Sequence, residues 1–409
     1  MQQRAIKLTA LVLWAILAVV GGIGIVQRIL FGHALANYTS YVPWGMWVAA
    51  YIFFIGLSAG AFLLSSLVYV FGMHKLERIA KLSLFVAAIT LGMALVTIFF
   101  DLGHMERFFF VFIRPQFHSM MAWMVWLYTA YFALLLGELF FALRRDVVRT
   151  SAERVVRDDK ALKVLGTIGI PLAIAFHGGV GALFGTVVAR EAWHTPIYPI
   201  LFLTGALVSG GALMTAIVAF CWTQRDAAWL DLVQFLGRMV LGLVLLDLLL
   251  EWAEYSIPMW YGVGSEFELL KHVLFGPYWY VFWIAHILFG VIIPVVLLTI
   301  GRRNPVAIGI AGALVAVTFF AIRLNLVIPG LITPELQGLQ TAYLDPITNR
   351  LSYDYLPSFF EWQVLGGVVA GGIAVFYLGY RYLPLVPRGA TRPTVPPTPA
   401  PAPVQEVAS

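Results

Sequence analysis

The chain consists of long apolar stretches, each interrupted by only a few polar positions. Ten of them reach the roughly 20 apolar residues that cross a bilayer. A span in lipid must satisfy its own backbone groups, and a helix does so. The pattern therefore predicts an all-α integral membrane protein with about ten transmembrane helices. The predicted spans lie near residues 7–31, 45–73, 81–101, 119–143, 165–189, 196–222, 230–255, 276–300, 305–329 and 362–384.

Composition supports this fold class. Hydrophobic residues make up 61% of the 409 residues, charged residues only 11%, and the mean hydropathy is +0.88. A soluble domain of this length could not bury so much apolar surface. The first span is too long for the core of a signal peptide, so we expect it to be retained.

Lys and Arg residues are distributed unevenly between the two sides of the predicted spans. If the N-terminus is inside, inside segments carry roughly three times as many of these residues as outside segments. This bias predicts that both termini are cytoplasmic. The isoelectric point of about 9.2 is then a signal of topology and does not indicate nucleic-acid binding.

Residues 1–385 are predicted to form one polytopic membrane domain, and the Pro-rich residues 386–409 a disordered cytoplasmic tail. Stretches rich in small residues recur at 56–63 in the second span and at 208–213 in the sixth. This weak repeat suggests two parallel four-helix bundles, formed by spans 2–5 and 6–9, with spans 1 and 10 peripheral. The bundles cover residues 45–189 and 196–329. Such small-residue runs usually allow close helix packing, the interpretation we favour, although transporters also contain repeats.

A first group of polar residues is predicted in the outer half of the first bundle. It comprises Tyr51, Asp101, His104 and His177. A phenol, a carboxylate and two imidazoles suit a quinone, whose carbonyls need hydrogen-bond donors and whose redox change moves two protons. The simpler alternatives are that Asp101 and His104 only cap a helix end, and that His177 is a buried, hydrogen-bonded imidazole.

A second polar group is predicted in the other bundle. Asp247 and Glu251 share one face of the seventh span, and Arg323 lies at similar depth on the ninth. Because an unpaired charge in lipid is costly, we expect Arg323 to pair with Asp247 or Glu251. This set is either a structural ion pair or part of a proton path that includes Arg238 and Glu138.

Metal cofactors are not expected in this chain. A single cysteine, Cys221, cannot hold an Fe–S cluster. His177 and His286 are both near mid-depth and could be considered as haem ligands. However, they belong to different proposed bundles, which argues against haem.

Several short motifs, taken in order, resemble the NrfD/PsrC family of membrane subunits, as found in polysulfide reductase, menaquinone reductases, periplasmic hydrogenases, Dsr-type complexes and alternative complex III. The resemblance extends to about residue 384, and ten spans match the hydrogenase, Dsr-type and alternative complex III members better than the eight-span polysulfide reductase subunit. The motifs are Trp44-Gly45, Phe54–Gly60, Asp101-Leu-Gly103 with Arg107, Arg114-Pro115 with His118-Ser119, His177–Gly185, Arg323-Leu-Asn325 and Tyr355-Leu-Pro357 with Glu361.

The resemblance implies a subunit, not catalytic alone, that binds menaquinone or ubiquinone and contains neither haem nor an Fe–S cluster. Its implied partners are a periplasmic four-cluster ferredoxin-like Fe–S protein and further oxidoreductase subunits. Its implied location is a bacterial or archaeal cytoplasmic membrane. The chain departs from the family at Tyr51, which stands where the polysulfide reductase subunit has a quinone-contacting histidine.

The leading hypothesis is therefore a quinone-binding membrane subunit of a respiratory oxidoreductase, with proton translocation left open. The alternative is a secondary transporter whose buried site contains Asp247, Glu251 and Arg323.

Overall fold

The computed structural model describes residues 2–147, 152–190, 193–334, 336, 338 and 351–386, and these residues form helices and loops without β-strands. A π-helix, Val281–Ile292, runs directly into α10. The α-helices are α1 (Gln2–Phe31), α2 (Met46–Tyr69), α3 (Ala80–Asp101), α4 (Phe110–Ile113), α5 (Met120–Val147), α6 (Ala152–Gly185), α7 (Tyr198–Cys221), α8 (Ala227–Tyr261), α9 (Ser265–Phe275), α10 (Ile293–Ile300), α11 (Pro305–Ile332) and α12 (Phe359–Tyr382).

The ten predicted spans are confirmed, because ten helical segments of the described residues are long and apolar enough to cross a membrane. Three local features differ from the prediction. The helix of the fifth span, α6, begins at Ala152, well before the predicted start at residue 165. The loop after α8 contains α9, and the eighth span begins as the π-helix. The predicted disordered tail, from residue 387 onward, lies outside the described residues.

Helices α2 and α7 lie at the centre of the packing. Helix α2 contacts α3, α6, α7 and α11, and α7 also contacts α6, α8 and α11, whereas α1 packs mainly against α12. These contacts fit the proposed grouping of spans, but α2 and α6 also pack directly on α7. The division into two bundles therefore stays an interpretation, as does the cytoplasmic location of the termini. We call the end of the molecule where α2, α7 and α12 begin the predicted outer end.

The small-residue runs bring helix backbones together, which confirms the packing interpretation of the repeat. Gly60 of α2 lies directly against Ala206 and Gly210 of α7, and a side chain at either glycine would meet the opposing backbone. The two central helices can approach this closely only because these positions lack side chains.

At the opposite end, an ion pair joins the segment before α3 to the start of α8. Arg78 donates to both carboxylate oxygens of Asp226, at 2.9 and 2.7 Å. Asp226 also accepts the backbone N–H of Trp229 at 2.7 Å and so caps α8. These hydrogen bonds, the one from Arg78 first, lower the pKa of Asp226 to about 2.

We expect Asp226→Ala to lower the melting temperature more than Asp226→Asn, because asparagine still caps the helix but cannot pair with Arg78. A lowered folded-state pKa stabilises the fold above the ordinary aspartate pKa. The stabilisation is lost as pH falls through about 2. The loss of melting temperature in Asp226→Asn should therefore be constant from pH 8 to pH 5 and shrink only below about pH 4.

Thermal unfolding in detergent measures these melting temperatures. Asp231→Asn, which loses one contact to Lys75, is the matched control. Equal melting temperatures for the Ala and Asn variants would contradict the capping role.

Candidate functional site

Asp101 ends α3 at the predicted outer end, where it meets the loop after α1. The Tyr38 hydroxyl donates to its Oδ1 at 2.6 Å. Beside it, Arg28 is almost fully buried and donates from Nε to the Phe100 carbonyl at 2.7 Å and from Nη2 to the Leu102 carbonyl at 2.6 Å. These carbonyls lack partners within the helix, so Arg28 closes the end of α3 and brings a positive charge close to Asp101.

A second acid lies next to this pair. Glu361 in the first turn of α12 is fully buried, and its carboxylate accepts a hydrogen bond from the Tyr355 hydroxyl. The backbone N–H groups of Asn37 and Ser358 also donate to it, each at 3.1 Å. The Tyr355 ring is 6.1 Å from the Tyr38 ring. This ring contact joins the Asp101–Tyr38 pair to the Glu361–Tyr355 pair. We call Arg28, His33, Tyr38, Asp101, Tyr355 and Glu361 the outer network.

Electrostatics fix the donor and acceptor roles in the outer network. Burial, followed by the negative charge of Asp101, raises the pKa of Tyr38 well above its ordinary value. Burial and the nearby Arg28 lower the pKa of His33. At neutral pH, Tyr38 is therefore a stable donor to Asp101, and neutral His33 accepts from Arg28 Nη2 at 3.1 Å.

Of the outer network, only Asp101 is among the site residues that the sequence predicts. Glu361 had a readable signal, because Ser358 and Glu361 form a capping box with the serine–x–x–glutamate spacing. Arg28 lies near the end of an apolar span, and nothing in its local sequence pattern shows that it is buried. The outer network depends on α1 and α12, the two helices that the sequence predicts to be peripheral.

Tyr51 lies one helical turn from the outer network. It pairs with Tyr128 of α5, to whose hydroxyl its own hydroxyl donates, and the two rings meet edge to face at 5.9 Å. Trp47, four residues earlier on α2, contacts the Tyr38 ring at 5.9 Å. Residues four apart share a helix face, so Trp47 and Tyr51 are neighbours on one face of α2. Of the two, Trp47 lies nearer to Asp101 and Tyr51 lies farther from it.

The two predicted histidines have contrasting surroundings. His177 is fully buried between the rings of Phe176 and Phe202, at 5.9 and 6.1 Å, and neither ring nitrogen has a hydrogen-bond partner within the described chain. His104 is 66% exposed and lies 3.0 Å from Glu106 in its own loop. The structure thus brings Tyr51 close to the outer network, places His177 deeper, and leaves His104 at the surface.

The expected direct ion pair of Arg323 is not formed. Glu251 instead lies 3.2 Å from His286 of the π-helix, and Asp247 accepts a hydrogen bond from Thr204 at 2.9 Å. The guanidinium of Arg323 lies over Phe202 at 4.3 Å. Arg323 therefore contacts an aromatic ring, and each of the two acids has another partner. The salt bridge that the sequence predicts is absent between these residues.

The remaining candidates lie apart from these groups. Arg238 is exposed on α8. Glu138 of α5 is fully buried near Gly166, and neither carboxylate oxygen has a hydrogen-bond partner in the residues that the structure describes. A proton path through Glu138 and Arg238 stays a prediction.

A partly open cleft lies between α7, α8, α9 and α11. Four acidic residues and four aromatic residues line it, together with two buried polar side chains of α11. These residues are Asp247, Glu251, Glu254, Glu266, Tyr198, Phe202, Tyr255, Phe319, Arg323 and Asn325. We call this space the α9 cleft.

Comparison with known proteins decides the family. Residues 34–335 match the family "Polysulphide reductase, NrfD". The chain is 35% identical to a subunit of the selenate reductase of Mesobacillus selenatarsenatis, over 90% of this chain and 92% of that protein. The chain belongs to the NrfD family.

Two further relatives extend the comparison of this NrfD-family chain. The Hdr-like menaquinol oxidoreductase integral membrane subunit of Archaeoglobus fulgidus is 28% identical over 93% of this chain and 94% of its own length. The menaquinone reductase integral membrane subunit of Nitratidesulfovibrio vulgaris is 22% identical over 88% of this chain and 87% of its own length. The family resemblance drawn from the motifs is thereby confirmed.

Proposed function

We propose that this chain is the quinone-reactive membrane subunit of a respiratory oxidoreductase in the cytoplasmic membrane. Two relatives that match nearly the whole chain carry menaquinol or menaquinone in their names. The quinone is menaquinone or ubiquinone. The chain has one cysteine, so electrons pass between the quinone and a separate ferredoxin-like Fe–S subunit, docked at the predicted outer end.

The hydrogen-bonded pair of Asp101 and Tyr38 is the observation that carries this proposal. A quinol that gives up two electrons also releases two protons. Asp101 can accept a proton, and Tyr38 holds its carboxylate in place at 2.6 Å. The Tyr51–Tyr128 pair begins one turn along α2 and supplies hydroxyls for a carbonyl of the head group. The head group therefore lies between Asp101 and Tyr51, with His177 deeper in the same half of the molecule.

Proton translocation is the finer part of the proposal. The candidate groups are Glu138, whose buried carboxylate has no described partner, and the acids of the α9 cleft. The α9 cleft also favours one alternative function, a secondary transporter with Asp247, Glu251 and Arg323 at its site. Liposomes that contain the chain alone separate the two functions, because only a transporter would move a substrate without quinone and an Fe–S partner.

We expect His177→Ala to lower quinol-dependent electron transfer in the purified complex about tenfold, since general acid–base groups contribute at least that much. His74→Ala is the matched control, because the His74 side chain is 93% exposed. The complex is purified through a tag on this chain, and reduction of the Fe–S subunit by menaquinol is followed spectroscopically. Equal rates for both variants would remove His177 from the site. Absence of any Fe–S subunit and of any quinol oxidation would overturn the proposed function.

A further inference from the structure

The α9 cleft contains a buried cation that forms no salt bridge within the described residues. Arg323 is 4% exposed and lies between the Phe202 and Phe319 rings, at 4.3 and 5.1 Å. Its Nε and Nη2 have no hydrogen-bond partner among the described residues, and no carboxylate oxygen there lies within salt-bridge distance. A guanidinium at this depth is costly unless its donors are used. The cleft therefore presents unused donors to whatever enters it.

Asn325 adds a second unused polar group. It is 6% exposed, and both its amide oxygen and its amide nitrogen lack partners within the described chain. Most buried polar side chains in proteins are hydrogen-bonded, so each exception requires an explanation. Both Arg323 and Asn325 line the same cleft. Together they offer donors for an oxygen atom and one acceptor for a hydroxyl.

The charges of the cleft restrict the ligand. Asp247, Glu251, Glu254 and Glu266 disfavour an anion, and the unused donors of buried Arg323 need acceptor atoms, which a simple cation does not supply. A neutral molecule with both acceptor and donor oxygens remains. The aromatic walls, which include Phe202 and Phe319, favour a flat ring, and the open side of the cleft lets such a ring enter edge-on.

We propose that the α9 cleft is a second quinone head-group site, distinct from the one near Asp101. One ring oxygen accepts from Arg323 and from the Asn325 amide nitrogen. In the quinol form, the hydroxyl at the other end of the ring donates to Glu254. Helix α9 forms one wall of the site. Two glycines with left-handed backbone, Gly262 (φ 65°) and Gly264 (φ 91°), connect α9 to α8. The inference rests on the proposed function, since it assumes that the chain meets quinones.

Photolabelling locates the two sites separately. The purified complex is illuminated with an azido-naphthoquinone, and labelled peptides are mapped by mass spectrometry. We expect label on α8 or α11 as well as near α2. Asn325→Leu and Arg323→Lys should each reduce the label on α8 and α11 at least tenfold, the effect of losing one good hydrogen bond. The label near α2 should remain in both variants.

Asn325→Leu keeps the test decisive if Arg323→Lys fails to fold. It replaces two unpartnered polar atoms with apolar groups of similar volume, so the chain should fold at least as well. Arg303→Lys, at an exposed position, is the matched control. Two results would overturn the second site while the proposed function stands. One is label that is confined to the region near α2, and the other is label on α11 that Asn325→Leu does not change. A chain that takes no label anywhere overturns both.

Discussion

Asp101→Asn should lower quinol-dependent electron transfer by about a hundredfold, which is the lower part of the range for loss of a general base. The proton released by the quinol must go to a group that can accept it. In the outer network, Tyr38 cannot serve, because its raised pKa keeps the phenol protonated at neutral pH. Asparagine cannot accept the proton either. The rate of Fe–S reduction by menaquinol in the purified complex measures the effect.

The substitution should leave the fold intact, which makes the loss of rate interpretable. The asparagine oxygen can still accept the hydrogen bond that Tyr38 donates at 2.6 Å. Arg28 binds the carbonyls of Phe100 and Leu102 and so does not depend on the carboxylate. The melting temperature should therefore change little.

Asp354→Asn serves as the matched control, because Asp354 is an exposed carboxylate at the same end of the molecule. It should retain the full rate. If Asp101→Asn also retained more than half of the rate, Asp101 would be a structural acid and the proton acceptor would have to be sought elsewhere. Tyr38→Phe gives an independent check. It should lower the rate less than Asp101→Asn does, since the carboxylate remains but is held less firmly.

The spans could be predicted because each segment that crosses the lipid needs its own run of about 20 apolar residues, whatever the rest of the chain does. The predicted first span and the helical one both end at residue 31, and the predicted third span ends at residue 101 in the structure as well. Helix α9 was harder to predict, since it is short and lies in a loop, where no run of 20 apolar residues marks it. The π-helix at Val281–Ile292 depends on backbone hydrogen bonding that hydropathy does not register.

The candidate site was predictable only in part, because it joins residues that are far apart in the chain. Asp101 was conspicuous as a charge at the end of an apolar span. Its partner Tyr38 is an ordinary loop tyrosine, and only the fold brings it to the carboxylate. For Arg323, too, the sequence does not predict the contact partner. Its burial was predicted from its place in a span, but its neighbour is the ring of Phe202 rather than an acid.

Gly60→Ala and Gly210→Ala should be the most damaging single substitutions for the fold. A Cβ at Gly60 would lie 2.0 Å from the Ala206 carbonyl oxygen, and one at Gly210 would lie 2.6 Å from the Gly60 Cα. The obstacles are backbone atoms, which cannot rotate away as a side chain can. Overpacking usually costs about 1–3 kcal/mol, and we expect values at the upper end because α2 and α7 must separate along their contact. Thermal unfolding in detergent and the yield of folded chain measure the loss.

Gly92→Ala is the matched control, because a Cβ at this glycine of α3 would meet nothing within 4 Å. It should be neutral. The double variant of Gly60 and Gly210 provides a sharper check, since the two glycines face each other across one contact. Once the first methyl group has separated the helices, the second should cost little, so the combined loss should be clearly less than the sum of the single losses. Additive losses would mean that the two glycines act at independent contacts, and an unchanged melting temperature for either single variant would mean that α2 and α7 do not pack this closely.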